Sequence, residues 1–334
     1  MSSRGSSRRS QRHESTANHG TLPTTAMLGT KSTGPYDRQF EQILIDNNIY
    51  PDEYNYPDGS RPPKPDNWGG FNQMLAQPRP SLSPSRFGEV EFDNFKQANA
   101  HAKKELQVYD SVIHRIEGNV GNGSCRSGGI PFANLDDITD RTLTHGKPDV
   151  FYGARPEQLH REVRETVGHH IMPSTQEDLP LAPNFFLEVK GLDGSAAVAK
   201  RQACYDGALG ARGMHSLRTY RQTTPAYDNN AYTMSNVYHN GQLQMYTSHI
   251  GPPRTAGGRP ETYMNQVGSY SLTHNREAFR AGATAYRNGR DWAKKQRDAA
   301  IMHANEWLDD AAPADDESAS PDLGFVTAEE IEES

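Results

Sequence analysis

Two short apolar segments each carry a carboxylate where a buried strand normally carries none, and this constrains the chain more than any other feature. One is Pro148-Asp149-Val150-Phe151-Tyr152-Gly153, and the other is Asn184-Phe185-Phe186-Leu187-Glu188-Val189-Lys190-Gly191. Side chains alternate across a strand, so Glu188 and Lys190 point to one side and Val189 to the other. Burying charge is costly unless the charge is paired or binds a metal. Two readings follow. In one, the acids and the lysine are a salt bridge at a strand end. In the other, Asp149 and Glu188 share a hard cation with Lys190 beside them, an arrangement suited to metal-assisted phosphodiester hydrolysis.

The segments around these strands set the class. Phe40, Ile43 and Leu44 are helically spaced, and Ile49-Tyr50-Pro51 ends that element. Residues 51–84 are proline-rich and contain the turn Pro57-Asp58-Gly59, which predicts an extended arm wrapping the domain. Residues 91–117 read as one helix, with Phe92, Phe95, Ala102, Leu106, Tyr109, Ile113 and Ile116 along one face and Gly118 after its end. Glu105 flanks that face and Glu117 lies on its opposite flank. The glycine-rich stretch 118–129 lacks the Gly-Lys-Ser/Thr ending of a nucleotide loop and reads as a mobile connection. Asp136, Asp137 and Asp140 suit a solvated turn or helix start, or add an acid near Asp149.

Beyond the first strand, Pro156 opens a charged surface helix running to Val167. His169 and His170 then fall on what reads as extended chain, where neighbouring side chains point apart and do not share a metal. Residues 173–183 read as a loop. Gly191 to Gly194 turns the chain into a helix over 195–214, whose Ala197, Ala203, Gly207, Ala208 and Ala211 permit close approach to a sheet. Lys200, Arg201, Gln202 and Tyr205 occupy its first two turns, and Cys204 reads as packing. Asn240-Gly241 marks a hairpin between strands 231–238 and 242–249. In a last helix over 275–307, Arg276, Arg280, Arg287 and Lys294 form a cationic stripe. It either contacts phosphates, with Arg280 and Arg287 at its centre, or is a solvated face. The expected class is therefore α/β: a mixed sheet of about five strands flanked by helices, with an N-terminal helix and arm over 36–90 and the main domain over 91–307.

This order of strand, strand and helix resembles the PD-(D/E)XK nuclease superfamily, in which an acid on one strand and an acid-x-lysine on the next form a metal site. The matching residues are Pro148-Asp149, then Glu188 and Lys190, with 156–183 as a longer insertion. The resemblance implies a restriction-endonuclease-like core and DNA or RNA as substrate. It further implies Mg²⁺ or Mn²⁺ held by Asp149, Glu188 and the Val189 carbonyl, with Lys190 beside the attacking water. A helix before the sheet often adds an acid in that superfamily, here Glu105 with Glu117 as its rival. The helix after the lysine often supplies a basic or glutamine side chain to the scissile phosphate, here Lys200 and Gln202. The phrases Pro148–Pro156 and Ala199–Ala208 also resemble a family from filamentous fungi, over about residues 90–307, that brings no established function. The alternative reading is a nuclease-like fold kept as a binding or interaction module.

Composition narrows the remainder. Among 334 residues, 34% are hydrophobic. Residues 1–35 hold Arg4, Arg8, Arg9 and Arg12 in a Ser-rich context, and residues 308–334 hold ten acids with no lysine or arginine. Both tails are expected to be disordered, because they cannot bury enough apolar surface to offset ordering entropy. Without those ten acids, the remaining 32 face 35 bases, so the body is slightly positive although the chain carries −7. The arginine-rich start suits a nuclear address, a mitochondrial presequence or a solvated tail. No run approaches the roughly 18 apolar residues of a membrane span, and no apolar signal core follows Met1. With Cys125 and Cys204 as the only cysteines, neither a disulfide scaffold nor a structural zinc site is expected, and the protein reads as intracellular, nuclear or cytoplasmic. A small-molecule hydrolase is disfavoured, since no Ser-His-Asp or Cys-His spacing is evident.

Overall fold

Every residue of the strand that carries Glu188 and Lys190 is buried, so its two charges lie inside the protein. The computed structural model describes residues 32–309, apart from 122, 177 and 225. The expectations for residues 1–31 and 310–334 lie outside the described residues. Among the described residues the strands are β1 (Ile49–Tyr50), β2 (Arg126–Ser127), β3 (Val150–Ala154), β4 (Leu181–Lys190), β5 (Ala231–His239), β6 (Gln242–Gly251) and β7 (Glu261–Ser271). They form one seven-stranded sheet in the order β1-β7-β6-β5-β4-β3-β2. β4 pairs with β5, and β1 with β7, in parallel; the remaining pairs are antiparallel.

The helices are α1 (Gln39–Asp46), α2 (Phe71–Leu75), α3 (Glu89–His101), α4 (Glu105–Val108), α5 (His114–Glu117), α6 (Arg161–Ile171), α7 (Ala196–Arg218) and α8 (Arg276–Asp309). Alternation along β4 sorts them onto two faces. Phe185, Leu187 and Val189 pack with Phe279, Ala283 and Tyr286 of α8. Phe186 packs with Ala199, Ala203, Cys204 and Ala208 of α7, and with Phe40 and Leu44 of α1. Covering both faces of a mixed sheet makes the protein α/β, as expected. Helix α7 lies close: a Cβ on Gly207 would sit 2.4 Å from Ser248 Oγ and 3.2 Å from Ser235 Oγ. Asn240 and Gly241, both at positive φ (46° and 80°), make the β5–β6 turn.

Four expectations are corrected. The sheet has seven strands instead of five, because β1 and β2 are two residues each and β7 is rich in Thr, Asn, Gln, Gly and Ser. The arm is not simply extended. It folds into short turns of helix whose Phe71 meets Trp292 at 5.1 Å and whose Arg79 bonds Asn288 (2.9 Å) and Asp291 (2.8 Å) on α8. His169 and His170 lie in the last turn of α6, not on extended chain.

The single helix expected over 91–117 is broken after His101. Lys104 is extended, with ψ 151°, and Gln107 Oε1 accepts the amides of Lys103 (3.0 Å) and Lys104 (3.1 Å), which caps α4. The exit of β4 presses on the break, where a Cβ on Gly191 would meet the Lys103 carbonyl oxygen at 2.7 Å. Tyr109–Ile113 then widens into a π turn, and Leu106, assigned to the buried face by periodicity, is 70% exposed.

Candidate active site

Register brings the acids together. Val150 pairs with Leu187 and Phe151 with Phe186, so one further step of the same antiparallel ladder sets Asp149 opposite Glu188. Both belong to the face beneath α7. Asp149 Oδ2 accepts the Val189 N–H at 2.7 Å, which fixes its carboxylate at the mouth of β4.

Lys190 Nζ is the focus of the site. It lies 3.5 Å from Glu188 Oε2, 3.7 Å from Asp149 Oδ2 and 3.4 Å from Glu105 Oε1, and it donates to the Val189 carbonyl at 3.1 Å. Four acceptor oxygens, from Asp149 just before β3, from β4 and from α4, therefore converge on one ammonium. Exposure is graded across the site: Glu188 is 0% exposed and Lys190 3%, whereas Asp149 is 31% and Glu105 47% exposed. An open cavity of about 490 Å³ reaches the cluster, and Tyr36, His145, Lys147 and Gln202 line it with Glu105, Asp149 and Lys190.

A further acid completes the group. Asp206, buried near the end of the third turn of α7, faces Glu188 from above the sheet. Glu188 Oε1 and Asp206 Oδ2 are buried with no N–H or O–H donor in reach. The two carboxyls can satisfy each other only with a proton between them. Burial, then the Asp206 and Asp149 charges, push Glu188 well above the ordinary carboxyl range. Burial likewise pushes Asp206 up to about 7. For Asp149, burial outweighs Lys190 and the Val189 N–H, and its carboxyl is raised as well. Burial alone would lower the Lys190 ammonium, but Glu188, Asp149 and Glu105 outweigh it and raise it. Four acids around one base leave negative charge in excess, a condition that a divalent cation relieves. The donors are carboxylate and carbonyl oxygens, the set that suits Mg²⁺ or Mn²⁺.

Asp149, Glu188, the Val189 carbonyl, Lys190 and Glu105 thus come together, and Gln202 reaches the cavity wall with its Oε1 lacking a partner. Lys200 does not. It turns to Asp52, with 3.3 Å between Nζ and Oδ2. Arg280 and Arg287 also lie elsewhere. Arg280 donates to the Leu82 carbonyl at 2.7 Å, and Arg287 donates to the Ile116 and Arg115 carbonyls at 2.9 Å each, closing the carbonyl end of α5. Arg276 pairs with Glu89 and Glu277, and Lys294 with Asp298, so the stripe is spent on the protein's own acceptors. Glu117 is bound to Arg126 and Tyr152. Asp206 was hidden by its setting, since an acid among alanines and glycines on a helix looks solvated. Its one signal is a position within the small-residue face that meets the sheet.

Fold and site together define an α/β protein with a buried acid–lysine centre at the end of its central strands. A family model described as Domain of unknown function (DUF7924) matches residues 95–305, more than half of the chain, and the protein belongs to that family. No curated protein and no solved structure matches the chain. No helix among the described residues is long and apolar enough to cross a membrane.

Proposed function

We propose that the protein is a Mg²⁺- or Mn²⁺-dependent nuclease of the PD-(D/E)XK type, hydrolysing phosphodiester bonds of DNA or RNA. The observation that carries this reading is the convergence of Glu105, Asp149, Glu188 and the Val189 carbonyl on one point, with more negative charge than Lys190 can balance. Asp149, Glu188 and the Val189 carbonyl would hold the ion, with Glu105 at its solvent side. The ion supplies Lewis-acid polarisation of the phosphate and a water of lowered pKa. Lys190 contributes a positive charge where negative charge develops on phosphorus and orients the attacking water. Asp206 fixes Glu188 from behind through the shared proton, and Gln202 offers its amide to a phosphate oxygen from the cavity wall.

A second reading, a nuclease-like fold kept as an interaction module, draws on Lys190 itself. Its ammonium touches all four oxygens and is almost wholly buried, so it satisfies part of the cage without an ion. Calorimetric titration with Mn²⁺ separates the two readings. The nuclease reading expects saturable binding that Glu188→Gln abolishes, together with Mn²⁺-dependent cleavage of single- or double-stranded DNA or RNA. Absence of both binding and cleavage supports the module.

A further inference from the structure

We propose that Asp136, His169 and His170 bind a divalent transition-metal ion of the Zn²⁺ class, at a site that shares no residue with the Lys190 centre. One ligand atom from each of the three lies within 4.8 Å of those of the other two. The two imidazoles sit side by side in the last turn of α6, with ring centroids 4.1 Å apart. Asp136 arrives from the segment that leads to β3, and main-chain bonds hold it in place. Its own N–H donates to the His169 carbonyl at 2.8 Å. Nearby, the Asn134 N–H donates to the Pro173 carbonyl at 3.2 Å, and the Asn134 amide to the Met172 carbonyl at 2.9 Å. The two segments that supply ligands are therefore laced together by the chain itself, which lowers the ordering cost of binding.

The chemistry of the donors selects the ion. Two imidazole nitrogens and one carboxylate oxygen suit Zn²⁺, Co²⁺ or Ni²⁺, whereas Mg²⁺ and Ca²⁺ favour oxygen donors. His170 Nδ1 lies 2.7 Å from Ser216 Oγ on α7. That contact occupies one ring nitrogen and leaves the other for the metal, the support that ligating histidines usually receive from their surroundings. The carbonyl end of the eleven-residue helix α6 adds a favourable partial charge for a cation.

Ligand atoms around a tetrahedral ion with bonds of about 2.0–2.1 Å stand roughly 3.3 Å apart, so the three side chains must draw in. Asp136 and His169 are exposed and can rotate to do so. Arg212 on α7 interacts electrostatically with both Asp136 and His170, and its charge opposes that of the ion. With three ligands and this repulsion, binding is micromolar, far weaker than at a closed four-ligand zinc site. A bound ion clips α6 to the segment before β3, whose Thr144, His145, Gly146 and Lys147 line the cavity of the acidic centre.

The test uses the full chain, freed of metal by chelator and kept in excess Mg²⁺. Zn²⁺ titration by calorimetry is expected to give one micromolar site, and Co²⁺ a visible absorption of low-coordinate nitrogen and oxygen ligation. His169→Ala and Asp136→Asn each weaken binding by about tenfold or more. Glu188→Gln leaves Zn²⁺ affinity unchanged, which separates this site from the Lys190 centre. The two exposed residues carry the test, because half-buried His170 also holds Ser216 and its loss can disturb folding. Wild-type affinity retained in both His169→Ala and Asp136→Asn, or a dissociation constant above about 1 mM, leaves an adventitious ion only and overturns the proposal.

Discussion

Two buried glutamates, Glu117 at the end of α5 against β3 and Glu188 on β4, are treated in opposite ways. Glu117 is 4% exposed and matched on every side: Arg126 meets both its oxygens, at 3.0 and 2.9 Å, and the Tyr152 hydroxyl donates at 2.6 Å. Arg126 in turn donates to the Tyr109 hydroxyl at 2.6 Å. Glu188 is equally buried, but its company is Asp149 and Asp206, with Lys190 shared among Glu188, Asp149 and Glu105. A scaffold neutralises its buried charges, because an unpaired one costs several kcal/mol. Where a fold keeps like charges together instead, their mutual strain is tolerated for something they do.

The sharpest way to break that comparison is Glu117→Ala. It strands Arg126 in the interior and is expected to cost about 3–5 kcal/mol in urea unfolding. A loss below about 1 kcal/mol would mean that the matched cluster is not scaffolding. Next in size is Asp206→Asn. The folded protein holds the Asp206 proton up to about pH 7, whereas the unfolded chain releases it near pH 4. Wild-type stability in chelator therefore falls as pH rises between about 4 and 7, then levels. Asp206→Asn removes much of that fall, gaining about 1–2 kcal/mol at pH 8 and nothing at pH 4. Parallel pH curves for the two proteins sink the idea of a shared proton.

Asp149→Asn, again in chelator, is expected to change stability by less than about 1 kcal/mol, in the stabilising direction, since it relieves repulsion at a half-buried position. A drop of about 3 kcal/mol makes the centre a structural ion pair like that of Glu117. The smallest effect belongs to Glu105→Gln. Its carboxylate is 47% exposed, so melting should move by no more than about 0.5 kcal/mol. Mn²⁺ affinity is nonetheless expected to fall about tenfold.

Short-range rules found much of this molecule. Alternation alone put Glu188 and Lys190 on one side of β4, and Asn240-Gly241 located the hairpin, because both depend on local backbone geometry. The small residues of α7 announced its closeness to the sheet. What escaped depends on long-range contacts. Glu105 was placed by helical phase, yet it reaches Lys190 because the helix breaks before it, at a cap that periodicity does not register. Arg280 and Arg287 read as a phosphate track because a sequence shows spacing and not the carbonyls that meet them. β7 was missed since its polar residues fall on adjacent positions, Glu261-Thr262, Asn265-Gln266 and Gly268-Ser269, which breaks the period of two that marks a strand, and only pairing with β6 and β1 reveals it.

Gly207 is a ruler for the acidic centre. Its missing side chain lets α7 settle onto Ser248 and Ser235, and the residue immediately before it is Asp206. How far that carboxyl stands from Glu188 is thus decided by the depth of a helix, which Gly207 sets together with Gly210, where a Cβ would meet Phe186 at 2.6 Å. Lengthening the gap lets the shared proton go; shortening it holds the proton harder. The acidity of the centre is adjustable from a position that bears no functional group, so natural variation or design at 207 can retune it while every acid, and the lysine, stays as it is.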